Sequence, residues 1–131
     1  MARPQILVVE DNKNNMKLFR DVLRANGYRT LEASTGGQAL MLATKHGPAL
    51  VVMDIRLPDM SGVEVLNRLR MDERTARIPV LAVTAQAMKG DRERFIEAGF
   101  DGYLSKPVDI DELLTTVEQH CGTIRCACHV F

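Results

Sequence analysis

The first 120 residues contain no cysteine. A secreted fold stapled by disulfides needs cysteines spread through its core, so that class is excluded. All three cysteines, Cys121, Cys126 and Cys128, crowd the last eleven positions. Net charge is lacking too, since seventeen basic residues meet seventeen acidic ones. That balance argues against a strongly basic nucleic-acid-binding body and against a polybasic membrane anchor. Long hydrophobic runs are also missing. Ile6 to Val9 and Ala49 to Met53 fall far short of the roughly 20 apolar residues that span a bilayer. Nothing behind Met1-Ala2-Arg3-Pro4 resembles the apolar core of a signal peptide, so the expected location is the cytoplasm. Tryptophan is absent and aromatics make up 5% of the chain, which excludes nothing.

What is there has the balance of a globular protein: 46% hydrophobic and 26% charged residues in a chain of 131. That length supports one domain with one sizeable core.

The pattern along the chain alternates strand with helix. Gln5 to Val9 is a short apolar run that stops at Glu10-Asp11. Met16, Phe19, Val22 and Leu23 then recur at helical spacing up to Asn26-Gly27. Residues 28–33 form a second strand of mixed polarity, which suits a sheet edge. A helix opens at Thr35-Gly36-Gly37 and runs to about Lys45, where Gly47-Pro48 stop it. Residues 49–53 are continuously apolar, as in a strand covered on both faces, and stop at Asp54. Ser61 and Glu64 stand at capping-box spacing for a helix to about Met71. Residues 78–83 are the fourth strand, ending at Thr84. Residues 88–98 are a weaker helix with Gly90 in its first turn. Residues 100–104 are the fifth strand, ending at Ser105-Lys106-Pro107. Asp109 and Glu112 cap a last helix from Ile110 to about His120. Five strands alternating with five helices predict a single α/β domain, with a parallel sheet covered by helices on both faces and right-handed crossovers. The domain is expected to fill residues 1–120. Residues 121–131 are expected to be a Cys-rich tail, disordered or foreign to the native chain.

The strand ends carry the chemistry. Glu10 and Asp11, Asp54, Thr84 and Lys106 all follow apolar runs, and a parallel sheet gathers its carboxyl ends on one edge, where open α/β folds bind ligands. Three converging carboxylates repel one another and call for a hard cation with oxygen ligands. Mg²⁺ fits because it takes a few carboxylates and keeps waters. Lys106 adds a positive charge and Thr84 a hydroxyl donor, a set suited to phosphoryl transfer. A carboxylate can itself accept a phosphoryl group.

These residues resemble the receiver domain of bacterial two-component response regulators. The resemblance rests on Glu10-Asp11, on Asp54 after Val-Val-Met, on Leu57-Pro58-Asp59-Met60-Ser61-Gly62, on Thr84-Ala85 and on Lys106-Pro107, and it covers residues 5 to about 120. It implies a CheY-like, flavodoxin-like (βα)5 sheet in strand order 2-1-3-4-5. It implies Asp54 as phosphoacceptor, with Thr84 and Lys106 contacting the phosphoryl group. Glu10, Asp11, Asp54 and the backbone carbonyl of Arg56 would hold Mg²⁺, or Mn²⁺ in its place. Tyr103 matches an aromatic that changes rotamer with Thr84, and Arg92, Phe95 and Tyr103 are the expected partner surface. The Lys106-Pro107 bond matches one that is commonly cis in the family. Asn14 to Phe19 and Ala82 to Asp91 are similar to stand-alone receivers of the DivK type, which control cell division and polarity.

The implied function is a single-domain switch rather than an enzyme, catalysing only its own phosphorylation and dephosphorylation. Its donor would be a histidine kinase or a histidine phosphotransfer protein, and its output a downstream kinase or regulator. It is expected to act as a monomer, with no nucleic acid and no membrane insertion. One alternative is a receiver domain cut from a hybrid histidine kinase. Another is a haloacid-dehalogenase-type phosphatase, but that class needs a second Asp where this chain has Arg56, which cannot move protons near neutrality. A flavodoxin-like redox carrier would need a phosphate cradle where this chain has Glu-Asp-Asn. His46 reads as a cation at a helix end. His120 and the tail cysteines offer soft ligands, but at no standard zinc spacing. The terminal Cys-His-Val-Phe fits a prenylation box only formally.

Overall fold

The computed structural model describes residues 4–85 and 90–129, the side chains of residues 122–129 excepted. Its elements alternate: β1 (Gln5–Val9), α1 (Lys13–Ala25), β2 (Arg29–Ala33), α2 (Gly36–His46), β3 (Leu50–Asp54), α3 (Gly62–Met71), β4 (Val80–Thr84), α4 (Asp91–Ala98), β5 (Gly102–Ser105) and α5 (Ile110–His129). The five strands are parallel in the order β2-β1-β3-β4-β5. The order follows the resemblance, and the mixed strand β2 lies at an edge.

Period-2 alternation along the central strands sends side chains into two cores. Leu7, Val9, Val51, Met53, Val80 and Ala82 pack with residues of α2, α3 and α4. Ile6, Val8, Val52, Leu81 and Val83 pack with Met16, Phe19 and Leu23 of α1 and with Leu113 and Val117 of α5. Each such side chain, withdrawn from water, contributes about 1.5–3 kcal/mol of burial. The helix starts are capped locally. Asn12 Oδ1 accepts from the amides of Asn14 and Asn15, Ser61 Oγ from Glu64, and Asp109 Oδ1 from Asp111 and Glu112.

Six expectations shift. Helix α4 starts at Asp91, and Met88 lies outside the described residues. Gly90 is not in its first turn but caps it at φ 89°, a left-handed conformation that glycine adopts without strain. Strand β5 begins at Gly102, because Phe100 leaves the edge to pack edge-on against Phe95. Helix α5 runs to His129 rather than stopping near His120. Cys121, assigned above to the tail, is fully buried in the α1–α5 core, one turn beyond Val117. His120 is not a free soft ligand either. Its ring nitrogens lie 2.8 Å from the Thr116 carbonyl oxygen and 3.0 Å from that of Asp101, tying α5 to the turn before β5.

Two outcomes follow from this packing. A methyl group on Gly62 would meet the Asp54 carbonyl oxygen at 2.8 Å and Ile55 Cα at 3.0 Å. Both are backbone atoms that cannot swing aside, so Gly62→Ala is expected to lose about 1–3 kcal/mol in urea unfolding. Wild-type stability would show that the α3 start can move away from β3. Deleting residues 122–131 keeps every described core side chain, Cys121 included. Thermal unfolding is expected to shift by less than about 4 °C, roughly what 1 kcal/mol does in a domain of this size. A larger fall would make those residues part of the folded body.

Candidate functional site at the carboxyl edge of the sheet

Glu10, Asp11, Asp54, Thr84 and Lys106 each sit at or just past a strand end. The Glu10 amide still donates to Ala33 carbonyl oxygen at 2.9 Å, so β1 carries Glu10 inward, 2% exposed, while Asp11 turns out to solvent. Asp54 is the last residue of β3 and 6% exposed. Thr84 ends β4 and is equally buried, and its carbonyl oxygen accepts from the Lys106 amide at 2.8 Å. That bond extends the β4–β5 ladder by one residue and delivers Lys106 to the site. The Lys106-Pro107 peptide bond is cis.

Lys106 Nζ lies 2.9 Å from Glu10 Oε1 and 3.2 Å from Asp54 Oδ2. The second contact is a hydrogen bond, while the first is a close ion pair off the line of a good hydrogen bond. Glu10 Oε2 accepts from the Asn12 amide at 3.1 Å, and Asp54 Oδ1 accepts from the Arg56 amide at 3.0 Å. Burial pushes the Glu10 carboxyl above its ordinary value, against the pull of Lys106 and of the Asn12 amide, and the nearby Asp54 adds to the rise. Burial disfavours the Lys106 ammonium as well, but the Glu10 and Asp54 carboxylates outweigh it and raise the lysine.

Carboxylate oxygens of Glu10, Asp11 and Asp54 all lie within 4.8 Å of one another. Three carboxylates against one ammonium leave a formal charge of −2. The donor set is all oxygen, and its two buried members, Glu10 and Asp54, share a single ammonium. These residues fit a hard divalent cation. An open groove of about 770 Å³ runs beside Glu10 and Asp11, between α1 and the β2–α2 turn.

The rest of the expected set is less uniform. Arg56 is exposed directly after Ile55, and pairs with Ser61 across the β3–α3 loop. Tyr103 stacks on Phe95, centroids 5.6 Å apart, and its hydroxyl is enclosed with no hydrogen-bond partner among the described residues. Burial first, and the Asp91 carboxylate second, push its phenol above the ordinary value. Phe95 is 6% exposed and faces the core, so it supports Tyr103 rather than offering surface. Arg92 is exposed and lines an open groove of about 640 Å³ between α4, β5 and α5, together with Ile96, Tyr103, Glu112 and His120. Ile96, 44% exposed, is an apolar contact on this face that helical spacing alone did not single out. Asp59 stands in the Leu57–Gly62 stretch with no role that its sequence position suggests. Its carboxylate accepts from the amides of Gly36 and Gly37 across the loop, a pairing that no sequence spacing announces.

Known proteins are similar to this chain in sequence and in fold. The family model for the response regulator receiver domain matches residues 6–118. Polar-differentiation response regulators DivK are similar to this chain. That of Brucella ovis is 48% identical over 117 residues, covering 89% of this chain and 95% of the relative. That of Brucella anthropi is 47% identical over the same shares. Among solved structures, the receiver domain of a Pseudomonas aeruginosa sensor histidine kinase has a magnesium ion coordinated in its active-site cleft. It is 36% identical with a TM-score of 0.84, covering 92% of this chain and 99% of that one. The chemotaxis response regulator CheY4 of Vibrio cholerae is 27% identical with a TM-score of 0.82, covering 91% and 98%. With its (βα)5 sheet and its acids gathered at the strand ends, the chain belongs to the response regulator receiver domain family.

Proposed function

We propose that this chain is a phosphorelay switch that takes a phosphoryl group on Asp54 with the help of Mg²⁺. The observation that supports this most is the meeting of Glu10, Asp11 and Asp54 around one lysine, four residues drawn from three strand ends. Glu10, Asp11, Asp54 and the carbonyl of Arg56 would hold the ion, which supplies positive charge beside the transferring oxygens. An Asp54 carboxylate oxygen attacks phosphorus, and the bond to the donor breaks. With a phosphohistidine donor, the leaving group is the imidazole nitrogen of a histidine kinase or phosphotransfer protein. Lys106 stays beside Asp54 and offsets charge on the phosphoryl oxygens. The chain is then no enzyme towards other substrates, because the accepting group is its own side chain.

The output reading follows from the same site. Phosphorylation places a strong anionic acceptor near the buried Thr84 hydroxyl. Thr84 moves toward it, and Tyr103, whose hydroxyl has no hydrogen-bond partner among the described residues, fills the vacated space. Because Tyr103 stacks on Phe95, the motion reaches α4 and the groove lined by Arg92 and Ile96. A downstream kinase or regulator would read that face. By likeness to the DivK regulators, the process served is polarity or cell-division control in the cytoplasm. Among the described residues no helix is long and apolar enough to cross a membrane.

Incubation with acetyl phosphate and Mg²⁺ is expected to add one phosphoryl group by intact mass, and Asp54→Asn is expected to add none. An unchanged adduct in that variant would remove Asp54 from the role. In Asp11→Asn a charged oxygen ligand is lost from a hard-ion site, so Mg²⁺ is expected to bind more than about tenfold more weakly by calorimetry, since even an outer support of a metal site is worth about that much. For the output, Thr84→Ala is expected to take phosphate while the amide shifts of α4 and Tyr103 on phosphorylation shrink. Wild-type shifts in that variant would break the link between Thr84 and the α4–β5 face.

A further inference from the structure

The β3–α3 loop carries the Arg56 carbonyl, and it is held at both ends. At its base the Gly62 amide donates to Ile55 carbonyl oxygen at 2.8 Å, and Arg56 pairs with Ser61. At its tip the Asp59 carboxylate spreads over the start of α2, with Oδ1 accepting from the Gly36 amide at 2.8 Å and Oδ2 from the Gly37 amide at 2.9 Å. Met60 is seated beside it. A Cβ on Gly36 would lie 2.5 Å from Met60 Cγ and 2.8 Å from Val65 Cγ2, so only glycine lets the loop come this close.

Helix α2 has a local cap of its own besides Asp59, which takes the two first-turn amides that this cap leaves free. Thr35 Oγ1 already accepts from the Gln38 amide at 3.1 Å, and the Gln38 side chain accepts from the Ser34 amide at 2.8 Å. The Asp59 bonds come from more than twenty residues away and join two separate elements. The ion-holding carbonyl of Arg56 lies three residues before Asp59, between the loop's base and its tip. We propose that Asp59 is a positioning residue, clamping the β3–α3 loop to the start of α2 so that the Arg56 carbonyl is pre-set for the divalent cation beside Asp54. The two amide donors also hold the Asp59 carboxyl below its ordinary value, so the clamp keeps its charge through neutral pH. The inference rests on the phosphorelay reading above and extends it to a residue outside the acidic cluster.

The test compares wild type, Asp59→Ala, Asp59→Asn and Thr35→Ala. Thr35→Ala removes the local cap of α2 without touching the loop. Mg²⁺ affinity is read by calorimetry, and amide hydrogen exchange at residues 36, 37 and 55–62 is read without metal. Asp59→Ala is expected to weaken Mg²⁺ binding on the order of tenfold, as loss of an outer support of a metal site does. Exchange across the loop should quicken in step. Asp59→Asn keeps one acceptor oxygen and should fall between Asp59→Ala and wild type. Thr35→Ala should lower thermal stability and leave Mg²⁺ affinity at the wild-type value. Wild-type Mg²⁺ affinity in Asp59→Ala would overturn the clamp alone, leaving Asp54 phosphorylation intact. Equal weakening in Thr35→Ala would also overturn it, reducing Asp59 to a helix cap. Failure of wild type itself to bind Mg²⁺ would overturn the phosphorelay reading and the clamp together.

Discussion

One lysine sets the character of this molecule. The Lys106 ammonium stands between two carboxylates that the sheet has taken out of water, Glu10 and Asp54. Buried charges persist only when paired, and removing one partner leaves the others uncompensated. A single ammonium cannot balance two buried acids with Asp11 alongside. The site is therefore built with a standing deficit of positive charge, and that deficit suits it to a hard divalent cation. The parallel sheet makes this possible. Antiparallel strands would scatter the same residues over two edges, whereas here β1, β3, β4 and β5 all end on one.

Around that centre the fold uses two kinds of support. On the β3 side the support is rigid. Gly62 lets α3 lie almost against the Asp54 backbone, Arg56 bridges to Ser61, and the loop tip rests on α2. On the β4–β5 side the support is looser. Helix α4 has eight residues and, among the described residues, no side-chain cap; it buries Asp91 and Phe95, and Phe95 packs on Phe100 and Tyr103. A rigid half is suited to chemistry that tolerates little misplacement. A half whose helix is short and seated on a small aromatic cluster is suited to shifting between two arrangements. The same carboxyl edge thus borders both kinds of support.

Much of this was legible in the residue order. Continuous apolar runs marked β1, β3 and β4 as central, and the mixed run of β2 marked an edge, because burial on one or both faces dictates polarity directly. The acids, threonine and lysine at the run ends could be paired with one another before any coordinates, since strand polarity alone fixes which ends meet. Boundaries were less legible. Phe100 reads as strand by type but serves the Phe95 contact, and Gly90 reads as a weak helix residue but is the left-handed cap before α4. Cys121 reads as the start of a tail, yet it is where α5 makes its last described core contact.

Sequence by itself determined the alternation of strands and helices, the parallel sheet, and the set of residues brought to its carboxyl edge. These depend on local polarity and on chain direction, which any reader of the residues can follow. Tertiary structure alone decided which oxygen of each carboxylate meets Lys106, that Phe95 turns inward, and that Asp59 reaches Gly36 and Gly37. Those outcomes depend on distances between elements far apart in the chain. Such distances are set by how helices pack on the sheet, a property of all the side chains together and of no single stretch.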